Sequence, residues 1–180
     1  MIFIKLYAGL NLKDLQFLGA GTQGKVYKIN FQKCIKIFKN KQVCADEIES
    51  LVMAQQDTHF PKLYDFDTNY IIREYIHGIE LDKYLKSHPL TQDISNKIIE
   101  LYEAMNLVGY FRLDAAPFHV FLTPSNEIKL IDTARVMKKR TIYPYLIIDS
   151  LKKSGYKKQF LSFVKINKPE LYAKWLQYCK

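Results

Sequence analysis

A glycine-rich run set between two strand-like segments constrains this chain more than any other feature. Gly19-Ala20-Gly21-Thr22-Gln23-Gly24-Lys25-Val26-Tyr27 has the pattern GxGxxGxV and joins LKDLQFLGAG to GKVYKINF, two short stretches rich in β-branched and aromatic residues. Glycine lets backbone amides come close to phosphate oxygens. The strand–turn–strand setting predicts a hairpin lid over phosphates, whereas a dinucleotide site needs a strand–turn–helix. A glycine-rich hairpin with no ligand has the same pattern, so the run carries weight only in company with further motifs.

Ten residues after Val26 stands Lys36, between Ile35 and Ile37 in KCIKIFK, a third strand. A lysine flanked by apolar residues in a strand is disfavoured unless its ammonium meets an anion. The segment VCADEIESLVMAQ sets Ile48, Leu51 and Val52 at helical spacing, with acidic residues in its early turns where the helix dipole favours them. Glu47 on this helix is the expected partner of Lys36; Glu49, on another face, is the competitor. PKLYDFDTNYIIREY reads as two more strands around a DTN turn, and HGIELDKYLKSHP as a short helix stopped before Pro89.

Beyond Gly78 the chain turns helical. Thr91 is the expected N-cap of a long helix running to about Gly109, with Ile94, Ile98, Tyr102 and Met105 as its apolar stripe, a core feature. VFLTPSNEIKLID is β-like again. In the tail, Pro144 opens one helix, Gly155 closes it and Pro169 opens another. The apolar start, MIFIKLYAGL, is interrupted by Lys5 and lacks the frame of a signal peptide, so it reads as an edge strand.

The order glycine loop, strand lysine, helix glutamate and then REYIHG resembles the protein-kinase superfamily. RLDAAPFHVFL and, after it, IKLIDTAR are similar to that family's catalytic loop and metal-binding segment. The resemblance implies an α+β, bilobal kinase-like fold, with residues 1–76 as a β-rich N-lobe and 77–180 as a shortened helical C-lobe. It implies ATP and Mg²⁺ or Mn²⁺ as cofactors. Gly19, Gly21, Gly24, Val26 and Lys36 would hold the nucleotide, and Glu47 would orient Lys36. The carbonyl of Glu74 and the amide of Ile76 would pair with adenine, beside Arg73 as gatekeeper. Asp114 takes the place of the catalytic aspartate and Asp132 that of the metal-binding one.

Several positions depart from the family pattern. Arg112 and Leu113 replace the usual histidine and arginine, Ala116 the loop lysine, and Thr133-Ala134 the phenylalanine and glycine after the metal-binding aspartate. His119 stands where the family has a metal-binding asparagine; its imidazole either ligates metal, with a leaning to Mn²⁺ or Zn²⁺, or hydrogen-bonds Asp114 or a backbone carbonyl. Only 48 residues lie beyond Asp132, eleven of them before Pro144, so a long activation segment does not fit. The chain therefore resembles a minimal kinase, similar in economy to the RIO and Bud32 atypical kinases and to small bacterial serine/threonine-kinase-like proteins. The implied activity is phosphoryl transfer from ATP to a protein or small-molecule acceptor that the sequence leaves open. A nucleotide-binding pseudokinase scaffold and a nucleic-acid or ribosome-associated module are the rival readings.

Composition narrows the setting. Residues 1–134 hold 15 Lys and Arg against 16 Asp and Glu, whereas residues 135–180 hold 12 against 2, so the whole excess behind the net charge of +9 lies in the last quarter. That excess suits an acidic partner or nucleic acid, or forms a solvated helical face. No stretch approaches the ~20 apolar residues that cross a bilayer, and Cys34, Cys44 and Cys179 have no metal-knuckle spacing. A cytoplasmic protein without a membrane partner is expected.

Overall fold

The computed structural model describes residues 6–178. β1 (Leu6–Tyr7) and β2 (Leu10–Asn11) form a small hairpin whose turn places Ala8 and Gly9 at positive φ, as a two-residue hairpin loop requires. The five-stranded antiparallel sheet is made by β3 (Gln16–Ala20), β4 (Gly24–Lys28), β5 (Lys33–Phe38), β6 (Leu63–Asp67) and β7 (Tyr70–Glu74), in the order β3-β4-β5-β7-β6. Between β5 and β6 runs α1 (Lys41–Met53), capped by Asn40, whose side-chain oxygen accepts from the amides of Gln42 and Val43.

The register of this sheet decides which residues meet. Lys36 pairs with Val26 on one side and Ile71 on the other, and Cys34 pairs with Arg73. Because side chains alternate, Val26, Lys36, Ile71 and Arg73 share one face. On that face α1 seats Cys44 and Leu51 against Phe38 and Ile71. The opposite face, with Ile35, Tyr70 and Ile72, is covered by Tyr7, Leu10, Leu12 and Leu15. This corrects the expectation for the N-terminal stretch. Its described part adds no edge strand to the large sheet but folds over it, burying apolar side chains that an edge position would leave wet; residues 1–5 lie outside the described residues.

The helical half begins with β8 (Ile79–Glu80), α2 (Leu81–Ser87) and α3 (Gln92–Leu107). Thr91 caps α3 by accepting from the amide of Ile94 at 3.1 Å, and Gly109 comes after it at positive φ. β9 (Val120–Leu122) and β10 (Ile128–Leu130) form a hairpin to which β8 adds. The chain ends with α4 (Tyr145–Lys153), α5 (Lys157–Asn167) and α6 (Pro169–Leu176). α5 is a helix that no proline or capping residue announces in the sequence; Phe160 and Val164, four residues apart and fully buried, are its inner face. One large core joins α3, β9, β10 and these last helices, with Trp175 set edge-on against Tyr102 and Tyr143.

Candidate functional site

A cavity of about 680 Å³ opens between the sheet and the helical half, a volume suited to a nucleotide-sized ligand. The glycine hairpin, Val26 and Lys36 line it from the sheet; Asp114, His119 and Asp132 line it from the other side. Residues more than a hundred positions apart are thus brought to one cleft. Glu74 and Ile76 are not among the lining residues, whereas Arg73 is.

The charged end is held together by buried contacts. Lys36 Nζ lies 2.6 Å from Glu47 Oε2 and 3.6 Å from Asp132 Oδ2, and donates to Gln23 Oε1 at 2.9 Å. Glu47 is fully buried while Glu49 is exposed, so the two candidate partners of Lys36 part clearly. Complete burial pushes the Glu47 carboxyl up, with Lys36 pulling it back, and its Oε1 has no partner. Three residues on, Ser50 donates to Thr133 Oγ1 at 2.6 Å, which ties α1 to the segment carrying Asp132. Thr133 has no solvent exposure, and in place of a large ring it offers α1 a hydroxyl.

The glycines divide into two kinds. A Cβ on Gly24 would run into the carbonyl oxygen of Ile37 on β5, so this glycine is required by strand packing. A Cβ on Gly19 or Gly21 would meet nothing, and the space beside these two is open. Gln23, from the same loop, reaches Lys36 and donates weakly to Asp132 Oδ1 at 3.4 Å.

The two aspartates sit in opposite environments. Burial pushes Asp132 up, but Lys36 beside it, the amide of Ala134 and the Gln23 side chain outweigh that, and its carboxyl is held below the usual range. Burial pushes Asp114 up as well, and there the amide of Leu146, donating to Oδ1 at 2.7 Å, and Arg112, 3.3 Å from Oδ2, offset it only in part; its carboxyl is raised. His119 Nε2 lies 3.8 Å from Asp132 Oδ2, and its own burial lowers its pKa, which leaves the imidazole neutral at pH 7 with a lone pair to offer.

These residues would suit a divalent ion held jointly with phosphate, the Asp132 carboxylate as a hard oxygen donor and the His119 imidazole as one that leans to Mn²⁺ or Zn²⁺. Among the described residues no group of three or more His, Cys, Asp or Glu side chains gathers into a closed cage. Asp132 with His119 is an open donor set, of the kind that Mg²⁺ or Mn²⁺ completes with water and phosphate oxygens.

Sequence reasoning did not single out Gln23, Glu80, Phe121, Arg112 and Arg135 as lining residues, yet all five face the cleft. Gln23 lies inside the glycine motif, Arg112 and Phe121 inside RLDAAPFHVFL and Arg135 at the end of IKLIDTAR, whereas Glu80 carries no such signal. Glu74 lies outside the cleft: its carboxylate holds Lys129 at 3.0 Å and accepts from the amide of Lys62, and its carbonyl accepts from Arg73 Nη1 at 3.0 Å.

No protein-family model matches the chain, and no curated protein does. Among solved structures it is similar to the crystal structure of a mutant of the Mycobacterium tuberculosis PknI kinase domain, at 18% identity with a TM-score of 0.54. The likeness covers 74% of this chain, which spans 64% of the length of that domain. A β-rich half, a helical half and a cleft between them that carries the lysine, the glutamate and both aspartates make this a protein-kinase-like α+β fold.

Proposed function

We propose that this chain is a phosphotransferase of kinase type that moves the terminal phosphoryl group of ATP or a related purine nucleoside triphosphate to an acceptor hydroxyl. The observation that carries the reading is the convergence of the Lys36–Glu47 ion pair, Asp132 and Asp114 on one cleft beneath the glycine hairpin. Lys36 and the open backbone at Gly19 and Gly21 hold the phosphates, and Glu47 fixes Lys36. Asp132 and His119 would hold a Mg²⁺ or Mn²⁺ ion, which supplies positive charge against the phosphate oxygens when bound. Asp114 orients the acceptor and takes its hydroxyl proton as the acceptor oxygen bonds to phosphorus; the bond from phosphorus to the bridging oxygen breaks and the nucleoside diphosphate leaves with its electron pair. Arg112 and Arg135, both facing the cleft, offer the cationic charge that Ala116 does not.

We infer a minimal type, similar in economy to the RIO and Bud32 atypical kinases or to small bacterial serine/threonine-kinase-like proteins, because α4 begins so soon after Asp132, its Leu146 amide touching Asp114 directly. That same contact favours a second reading. With Asp114 engaged by Leu146 and Arg112 on its two oxygens, a nucleotide-binding scaffold without transfer is the alternative. Part of the basic excess of residues 135–180 is already paired internally, Lys138 with Asp46 and Lys168 with Glu103; the remainder is offered as a docking face for an acidic partner.

The test is incubation with γ-labelled ATP or GTP and either Mg²⁺ or Mn²⁺, with Asp132→Asn and Lys36→Ala as controls. Label transferred or released by the wild type and lost in both variants supports the enzyme. Silence with both metals, together with a melting temperature raised by nucleotide, supports the scaffold.

A further inference from the structure

Arg73 is out of keeping with its surroundings. It sits on the cleft face of β7, two residues along from Ile71, the register partner of Lys36, which places it about 7 Å along the strand from the Lys36 position. It is 5% exposed and lines the cavity. Its Nη1 donates to the carbonyl of Glu74 at 3.0 Å, and its buried Nε has no partner. Nε is closed off from solvent, but Arg73 lines the cavity, so the rest of its guanidinium is the donor group that a ligand acceptor would meet on this wall.

The cleft limits where such a ligand lies. Lys36, Gln23 and Asp132 gather at the end that suits phosphates and metal. Away from them, Val26 on the sheet side and Phe121 and Leu130 on the β9–β10 hairpin give apolar walls for a flat ring, with Arg73 facing the same space. Purines differ at that edge: adenine presents an amino donor at its 6-position beside the N7 acceptor, while guanine presents two acceptors, O6 and N7. The carbonyl of Glu74, which lies outside the cleft, accepts from Arg73 Nη1 and fixes the guanidinium at the cleft wall. An adenine amino group therefore faces a guanidinium, donor against donor.

We propose that Arg73 is a specificity-determining residue that makes the cleft prefer a 6-oxopurine nucleoside triphosphate, with guanine or hypoxanthine as base, over ATP. This rests on the nucleotide-dependent reading above and refines which nucleotide is used. Arginine donating to O6 and N7 is worth roughly a 5- to 150-fold discrimination against the wrong base.

Competition binding to the intact chain with Mg²⁺ tests it, using ITP, GTP and ATP; ITP and ATP differ only at the 6-substituent and the N1 proton. ITP and GTP are expected to bind roughly 5- to 150-fold more tightly than ATP, and Arg73→Met to bring that ratio close to one. Arg73→Lys, which keeps a single donor, should fall between. If Arg73→Met does not fold, the wild-type ratio and Arg73→Lys decide. ATP binding as tightly as ITP overturns the proposal and leaves the phosphotransferase reading standing, with Arg73 then a charge partner of buried Glu47. A 6-oxopurine preference unchanged in the Arg73 variants overturns the assignment to this residue. No binding of any of the three brings down both readings.

Discussion

Asp132 and Asp114 lie in the same cleft and are both largely buried, yet their surroundings drive them apart. Asp132 stands beside a cation, with Lys36 at 3.6 Å, accepts from the amide of Ala134, and is held ionised below the usual carboxylate range. Asp114 has one backbone amide and one long contact to Arg112, and burial wins, so its carboxyl is raised. A carboxylate held charged suits a standing task, the binding of metal and phosphate. One whose pKa is raised suits the transient holding of a proton. Two titratable groups pushed in opposite directions are what divides such roles within one site.

Removing each charge with little change of shape is the largest test of this division. Asp132→Asn and Asp114→Asn should each lower the rate of phosphoryl transfer, by about 10²–10⁴-fold for the loss of a general base and about 10²–10³-fold for the loss of charge stabilisation. The comparison separates them in binding: Asp132→Asn should weaken metal-dependent nucleotide binding, and Asp114→Asn should leave it near wild type. Equal loss of binding in both variants would break the division.

The Lys36–Glu47 pair that supports Asp132 gives the next effect, on stability. Both side chains are nearly or fully removed from solvent, 8% and 0% exposed. Lys36→Met strands a buried carboxylate and should cost about 3–5 kcal/mol in denaturant unfolding. Replacing both partners, Lys36→Met with Glu47→Leu, should recover most of that loss. A single-variant cost below about 1 kcal/mol would mean that Lys36 does not hold Glu47 charged.

A smaller effect separates the glycines at the same end. Gly24→Ala forces a methyl against the Ile37 carbonyl and should cost about 1–3 kcal/mol, the range for overpacking. Gly21→Ala meets open space and should leave stability within about 0.5 kcal/mol, lowering nucleotide affinity alone. A matching loss of stability in both would remove the distinction between packing and phosphate glycines.

Which parts of the molecule were legible in the sequence depends on the range of the forces involved. Local patterns spoke plainly: the apolar flanks of Lys36 in a strand, the VCADEIESLVMAQ segment carrying Glu47, the Thr91 cap and the β-like VFLTPSNEIKLID; the start of α1 at Lys41 under its Asn40 cap and the pairing of β9 with β10 did not. α5 escaped because it lacks a proline or side-chain cap at its start, and only the Phe160–Val164 spacing marks it. The cover that the β1–β2 hairpin gives the sheet is a long-range packing choice with no local sign. In the site, Lys36, Glu47, His119 and Asp132 lie within one cluster, a grouping that the resemblance rather than any local pattern implied, and the Glu74 side chain and carbonyl engage Lys129 and Arg73. Hydrogen bonds such as Leu146 to Asp114 and Ser50 to Thr133 span 32 and 83 residues, and nothing in either local sequence announces its partner.

The subtlest prediction uses pH and requires no activity. A carboxyl whose pKa is raised on folding binds its proton more tightly in the folded chain than in the unfolded one. The stability it lends is complete below the unfolded pKa of about 3.9 and is lost as pH rises through the folded value. Ionised Asp114 is therefore a liability at neutral pH, and Asp114→Asn should raise Tm at pH 7, with the gain shrinking on acidification towards about pH 4. Asp132 has the opposite sign: its depressed carboxyl lends stability above the unfolded pKa that is lost as pH falls through the folded value. Asp132→Asn should accordingly lower Tm at pH 7, and its deficit should narrow in acid. Shifts of the same sign in the two variants would show that the two ends of the cleft treat a negative charge alike. Opposite signs would establish, from the folded chain alone, that one aspartate is built to stay charged and the other to take up a proton.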